Sequence, residues 1–195
     1  MTPPTTPPRL TLASQSKHRL ELLRNAGYEV EAVPSDVVEP DLAGFADLDA
    51  GLVYIASLKA RTAWRGGAQG LIFAADTIGL AGGQVVGKPA DRADALRMLT
   101  AISGTTHEVL TGWCLFRTRD GVQLCGVERT TIAMRPWKPE EFTVHLDSGE
   151  WIGKSGAYGL QLPHDPFVTR IDGSPSNVIG VPLERLAEVF VLLEP

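Results

Sequence analysis

The sequence predicts one α/β domain on a mixed sheet, and three observations carry that expectation. Segments of strand character and amphipathic helical segments intermingle without the strict alternation of a doubly wound fold. Two long extended stretches, 107–116 and 122–134, are rich in Val, Thr, Leu and Ile. An Asp120-Gly121 hairpin signal joins them, so they should pair antiparallel. The 195-residue chain contains no internal repeat and no dividing linker, and a chain of this length can bury a full core.

Each element has its own justification. Residues 1–8, MTPPTTPP, read as a disordered tail, leaving 9–195 as the domain. RLTLA at 9–13 is a short strand. Ser16 can cap a helix running to Ala26 and closed by Gly27, with Leu20 and Leu23 on its apolar face. A second strand covers 28–33 and leads into an acidic loop at 35–41. A longer helix spans 47–64. The apolar run 71–75 reads as a central strand stopping at Asp76-Thr77, followed by a Gly-rich turn and a hairpin return at 84–86. A helix over 91–102 should turn Leu96 and Leu99 inward. Pro139 opens a helix to Leu146. Residues 149–161 hold four glycines and read as a functional loop. A strand at 167–171, a turn at 172–177 and a helix at 183–193 complete the chain.

Composition removes several function classes. A formal charge of −5 and a pI near 5.4 argue against binding a nucleic-acid backbone. Any anion site must therefore be a local gathering of Lys and Arg. No apolar run approaches membrane-spanning length. The first residues lack the basic region and apolar core of a secretory signal. A cytoplasmic protein without membrane or nucleic-acid partners is expected. Cys114 and Cys125 do not make a disulfide framework. With a two-residue turn at Asp120-Gly121, Phe116 would face Cys125 and Cys114 would lie diagonal to it, roughly 7–8 Å away. Two buried free thiols follow.

Four features could carry chemistry. Asp76 closes a buried strand, and Lys88 is held between Gly87 and Pro89, which suggests metal and phosphate. An ordinary strand, hairpin and surface lysine would read the same way. In Ser14-Gln15-Ser16, free N–H groups at a helix start and two hydroxyls attract phosphate. Arg19 stands in the first helical turn, where a cation opposes the dipole unless an anion binds; a simple Ser16 cap with a solvated Arg19 is the plainer alternative. Lys59 continues the apolar stripe of Leu48, Leu52, Ile55 and Ala56, so it must snorkel or meet an anion. Glu39 and Asp76 offer the one or two carboxylates that Mg²⁺ takes, although Asp36, Glu39 and Asp41 could merely solvate a loop. No His/Cys cluster suggests zinc. GxxxxGK[ST] and GxGxxG are both missing. His107 and His145 have no motif that would make either a general base.

Taken together the segments resemble the Maf family of nucleoside triphosphate pyrophosphatases from Leu10 to Leu193. The matching blocks are Leu12-Ala13-Ser14-Gln15-Ser16 with Arg19 and Leu22-Leu23, Glu39, Lys59-Ala60, Ala75-Asp76-Thr77 and Gly87-Lys88-Pro89. They continue with Met98-Leu99, Ser103-Gly104, His107, Val109, Thr111-Gly112, residues 154–161 (KSGAYGLQ), Gly173-Ser174, Ser176-Asn177-Val178, Gly180 and Pro182-Leu183. The resemblance implies a two-lobed fold like that of inosine triphosphatases, with an active-site cleft between lobes, and commonly a homodimer. It implies hydrolysis of a nucleoside triphosphate between the α- and β-phosphates, giving monophosphate and pyrophosphate. Asp76 would be the proton acceptor, Lys59 and Lys88 would neutralise the triphosphate, and Glu39 and Asp76 would hold Mg²⁺ or Mn²⁺. Ser14, Ser16 and Arg19 match the phosphate-contacting motif.

Three positions bear on the base. His18 matches neither the Arg of the dTTP/UTP branch nor the Trp of the branch acting on N7-methyl-GTP. Thr77 and Gln161 match the dTTP/UTP branch. Val38 replaces an acid often found before Glu39. The expected function is hydrolysis of dTTP and UTP, with modified pyrimidine nucleotides also in range. The alternatives are N7-methyl-GTP hydrolysis or a nucleotide-binding role in cell division.

Overall fold

The computed structural model describes residues 9–161 and 164–193. The expected tail at 1–8 lies outside them. Seven strands and six α-helices alternate irregularly: β1 (Arg9–Leu12), α1 (Lys17–Asn25), β2 (Glu29–Ala32), α2 (Leu48–Arg65), β3 (Leu71–Ala81), β4 (Gln84–Val86), α3 (Arg92–Ile102), β5 (Thr106–Arg117), β6 (Gln123–Met134), α4 (Pro139–Ser148), β7 (Val168–Asp172), α5 (Pro175–Ile179) and α6 (Leu183–Leu193). The hydrogen-bonded order is β2-β1-β3-β5-β6-β7, with β4 paired to β3. β1 pairs parallel with β2 and β3, whereas β3–β4 and β6–β7 are antiparallel. The sheet is mixed, as the irregular alternation implies.

Two compact units emerge. Among the described residues, the first comprises those within 1–76, 111–128 and 179–195, and the second those within 77–110 and 129–178. In the first, β1 and β3 present Leu10, Leu12, Phe73 and Ala75 to a core completed by Leu23, Val30, Trp113, Leu115 and the α6 residues Leu186, Val189, Phe190 and Leu193. A second cluster, rich in small side chains, sets Ala56, Ala60 and Ala63 of α2 against Ile72, Ala74, Cys114 and Phe116. Close approach explains the alanines. A Cβ added to Gly112 would stand 2.5 Å from the Leu52 carbonyl carbon, so α2 reaches β5 only where a side chain is missing.

The second unit packs Ala95, Met98, Leu99 and Ile102 of α3 with Val109, Ile132, Met134, Trp137 and Leu146. Trp137 stacks on Phe167 at 3.8 Å between ring centroids and meets His145 and Tyr158 edge-on. The Gly173-Ser174 and Ser176-Asn177 motif belongs to this framework. The Asn177 amide donates to Val109 O (3.2 Å) and Thr130 Oγ1 (3.1 Å), and Thr130 Oγ1 donates to Ser174 O (3.0 Å).

Four local expectations need correction. The central strand does not stop at Ala75. It runs on through Asp76 to Ala81, because β4 pairs with its far end through a two-residue turn whose Gly82 and Gly83 both have positive φ. Leu96 is exposed (41%), since the buried stripe of α3 is Ala95, Met98, Leu99 and Ile102 and Leu96 falls one residue off it. Part of the expected 172–177 turn is helix α5. The β5–β6 hairpin closes with Arg117 N donating to Val122 O, so 118–121 form a four-residue loop rather than a two-residue turn. That register sets Cys114 opposite Cys125, not diagonal to it.

Candidate active site

The first unit holds seven of the predicted site residues. Ser16 does cap α1: its Oγ accepts from Arg19 N at 3.3 Å. The Ser14 hydroxyl accepts from Ser16 N (3.1 Å) and from Arg19 Nη1 (3.4 Å). Arg19 Nε donates to Gly180 O at 3.0 Å. The guanidinium is thus folded back over its own N-terminal loop instead of trailing into solvent. Burial lowers the Arg19 pKa, while the negative charges of Asp76 and Glu39 push it back up. Those two acids therefore face the same space as Arg19.

Lys59 answers the snorkel-or-anion question. Its position on the buried face of α2 leaves the side chain 9% exposed, and its Nζ meets Asp76 Oδ1 at 2.7 Å and Glu39 Oε1 at 2.8 Å. Burying an ammonium is tolerable only with such partners. Asp76 is itself mostly covered, whereas Glu39, from the loop after β2, is 43% exposed. Val38 is fully solvated and holds nothing in place. Two cations and two carboxylates thus occupy one region, with Glu39 open to solvent. Lys17 and His18, on the first turn of α1, are exposed.

The remaining predicted residues belong to the second unit. Thr77 O accepts from Ser155 Oγ at 2.8 Å, and Gly87 O accepts from Gly156 N at 2.9 Å. The 154–157 segment is thereby stapled both to the start of the unit and to the turn carrying the exposed Lys88. Gln161 is exposed, its amide donating to Glu150 Oε2 at 3.2 Å and its N–H to Asp165 Oδ2. His145 is structural: its Nε2 pairs with Ala157 O at 2.9 Å inside the aromatic cluster. Sequence reasoning assigned no role to Gly180 or Ser155. Gly180 acts through a carbonyl, which no residue type signals, and Ser155 was visible only as part of the KSGAYGLQ block.

Comparison with known proteins supplies the class. A family model described as Maf-like protein matches residues 9–192. The chain belongs to the Maf family. A dTTP/UTP pyrophosphatase of Geobacter metallireducens is 41% identical over 181 residues, covering 92% of this chain and 93% of that one. Its namesake in Anaeromyxobacter dehalogenans is 42% identical over 185 residues, covering 94% and 93%. A third, from Rhodopirellula baltica, is 39% identical and covers 94% and 82%. A solved nucleoside-triphosphatase / dITP/XTP pyrophosphatase from Mycobacterium abscessus aligns over 95% of the chain and 96% of its own, at 17% identity and a TM-score of 0.45. A likeness that loose carries no argument. Among the described residues no helix is long and apolar enough to cross a membrane.

Proposed function

We propose that this protein is a nucleoside triphosphate pyrophosphatase acting on dTTP and UTP, releasing the monophosphate and pyrophosphate. The observation that carries the reading is Lys59 held between Asp76 and Glu39, with the Ser14–Arg19 loop beside them. The names of relatives about 40% identical over most of the chain support the same activity and the same bases. In this reading Asp76 takes the proton of a water that attacks the α-phosphorus, and the α–β bridging oxygen leaves with pyrophosphate. Lys59 and Arg19 counter the charge that gathers on the phosphates, with Lys88 adding a third cation. Positioning and electrostatic stabilisation do most of the work in phosphoryl and nucleotidyl transfer.

A divalent cation, Mg²⁺ or Mn²⁺, fits the donor set. Glu39 and Asp76 are hard oxygen donors already converging on one positive centre, and Mg²⁺ asks for only one or two carboxylates beside water and phosphate. When bound it supplies Lewis-acid neutralisation of the triphosphate. Thr77 and Gln161 set the pyrimidine preference, and His18 stands where relatives carry Arg or Trp. The protein works in the cytoplasm as a homodimer, with neither nucleic acid nor membrane as partner. The test is pyrophosphate release by the pure protein with Mg²⁺ across a panel of nucleoside triphosphates. dTTP and UTP should be fastest. A higher rate on N7-methyl-GTP would overturn the base assignment, and no release on any substrate would overturn the activity.

A further inference from the structure

Cys114 and Cys125 are the two cysteines of the chain, and the nucleotide reading uses neither. The four-residue hairpin loop sets them face to face. Counting three ladder positions back from the Arg117–Val122 bond brings Cys114 level with Cys125. Two contacts elsewhere on the pair of strands agree. A Cβ on Gly126 would strike the Trp113 ring at 2.8 Å, one position further along. The Asn177 amide spans Val109 and Thr130, which the same count also makes partners.

Three steps from a hydrogen-bonded pair is a non-hydrogen-bonded one, where Cα atoms stand about 4.5 Å apart and side chains are closest. That spacing falls within the roughly 4.4–6.8 Å range of disulfides. The thiols are within hydrogen-bonding reach of each other, and Ser57 of α2 lies 3.4 Å from Cys125 Sγ. Cys114 is fully buried and Cys125 only partly.

We propose that Cys114 and Cys125 form a reversible redox site, closing to an intrachain disulfide when the protein meets a peroxide. Cys125, the more accessible sulfur, is the attacking one. Hydrogen bonds from Cys114 and Ser57 favour its thiolate, while Cys114 is driven the other way by its bond to Cys125 and by burial. The Cys125 thiolate attacks one peroxide oxygen and the O–O bond breaks. The sulfur is oxidised to sulfenic acid and the other oxygen leaves, with a proton, as water. Cys114 then attacks the sulfenic sulfur, the S–O bond breaks, and a second water departs as the S–S bond forms. In sum, two thiols lose two hydrogens and one peroxide becomes two waters. A dithiol reductant reverses the reaction by exchange.

Intact mass and thiol titration of the purified chain test this without any substrate, so the outcome is independent of the nucleotide reading. Stoichiometric hydrogen peroxide at neutral pH should remove both thiols together, lower the monomer mass by two hydrogens, and be undone by dithiothreitol. With Cys114→Ser, the same treatment should stop at a sulfenic acid on Cys125 that dimedone captures. Both thiols surviving peroxide would overturn the proposal. So would oxygen added to Cys125 in the wild type without a crosslink, or a disulfide joining two chains. The wild-type mass decides the matter even if the serine variant folds poorly.

Discussion

A buried lysine needs an anion, and Lys59 has two, one of which is also the proposed base. This double use makes the site residues separable by substitution. Asp76→Asn keeps the shape and a hydrogen-bond acceptor for Lys59, so the fold should survive while turnover falls at least about 10²-fold, as for loss of a general base. Turnover near wild type would remove Asp76 from the mechanism. Lys59→Ala leaves two carboxylates facing each other and should cost stability on the order of 3 kcal/mol as well as activity. Lys88→Ala should cost activity alone, because Lys88 is exposed, and Lys17→Ala should do little. Equal losses at all three lysines would mean that general surface charge, not these positions, controls turnover. His107 makes a prediction of another kind. It is buried, its Nδ1 has no hydrogen-bond partner, and burial pushes its pKa down to about 4. The unfolded chain takes up that proton near pH 6.5 and the native chain only near pH 4. Its contribution to stability is therefore intact above about pH 6.5 and is lost progressively as pH falls toward 4, by roughly 3 kcal/mol at most. Denaturant midpoints across that window should drop in the wild type and flatten in His107→Gln; parallel profiles would clear His107.

Among the elements, α2 does most to build the site, and much of it could be read in advance. Lys59 stands in the apolar register of Leu52, Ile55, Ala56 and Ala63, so its place on the inward face was legible from spacing, whereas spacing did not choose between snorkelling and the ion pairs it makes. The helix starts at 47 and 91 were legible too, and each is fixed by a cap: Asp47 Oδ1 accepts from Ala50 N at 2.7 Å and Asp91 Oδ1 from Asp94 N at 2.8 Å. What escaped was set by tertiary pairing. Residues 77–81 are strand because β4 lies beside them, and Asp76 therefore sits within a strand rather than at its end. The register of Cys114 depended on whether two or four residues close a hairpin, a choice that Asp120-Gly121 does not make alone. Gly112 looked like one member of a motif, yet its role is the close contact with α2. Gly112→Ala would force that helix away and move Lys59 with it. A loss of about 1–3 kcal/mol is expected, with a parallel fall in turnover, both measurable on one preparation. Unchanged stability would mean that α2 can yield without consequence.

For the molecule as a whole, the apolar core of the first unit draws on the beginning, middle and far end of the described chain. Leu10, Leu12 and Leu23 come early, Trp113 and Leu115 much later, and Leu186, Val189, Phe190 and Leu193 from α6. Removing α6 strips four of those side chains, so a chain stopped after Pro182 should aggregate or bind a hydrophobic dye. A soluble, cooperatively melting truncation would contradict this. The segments of the second unit end at residue 178, before α6 begins. Synthesis runs from one end only, at about 5–20 residues per second, so β1 and α1 wait on the order of ten seconds for the helix that covers them. In that interval 77–110 and 129–178 have already been synthesised. The unit that carries Asp76 and Lys59 is thus the last to close, and it is the one that most needs a chaperone's protection while nascent. Arrested nascent chains of increasing length would reveal this as protease resistance appearing in the second unit first.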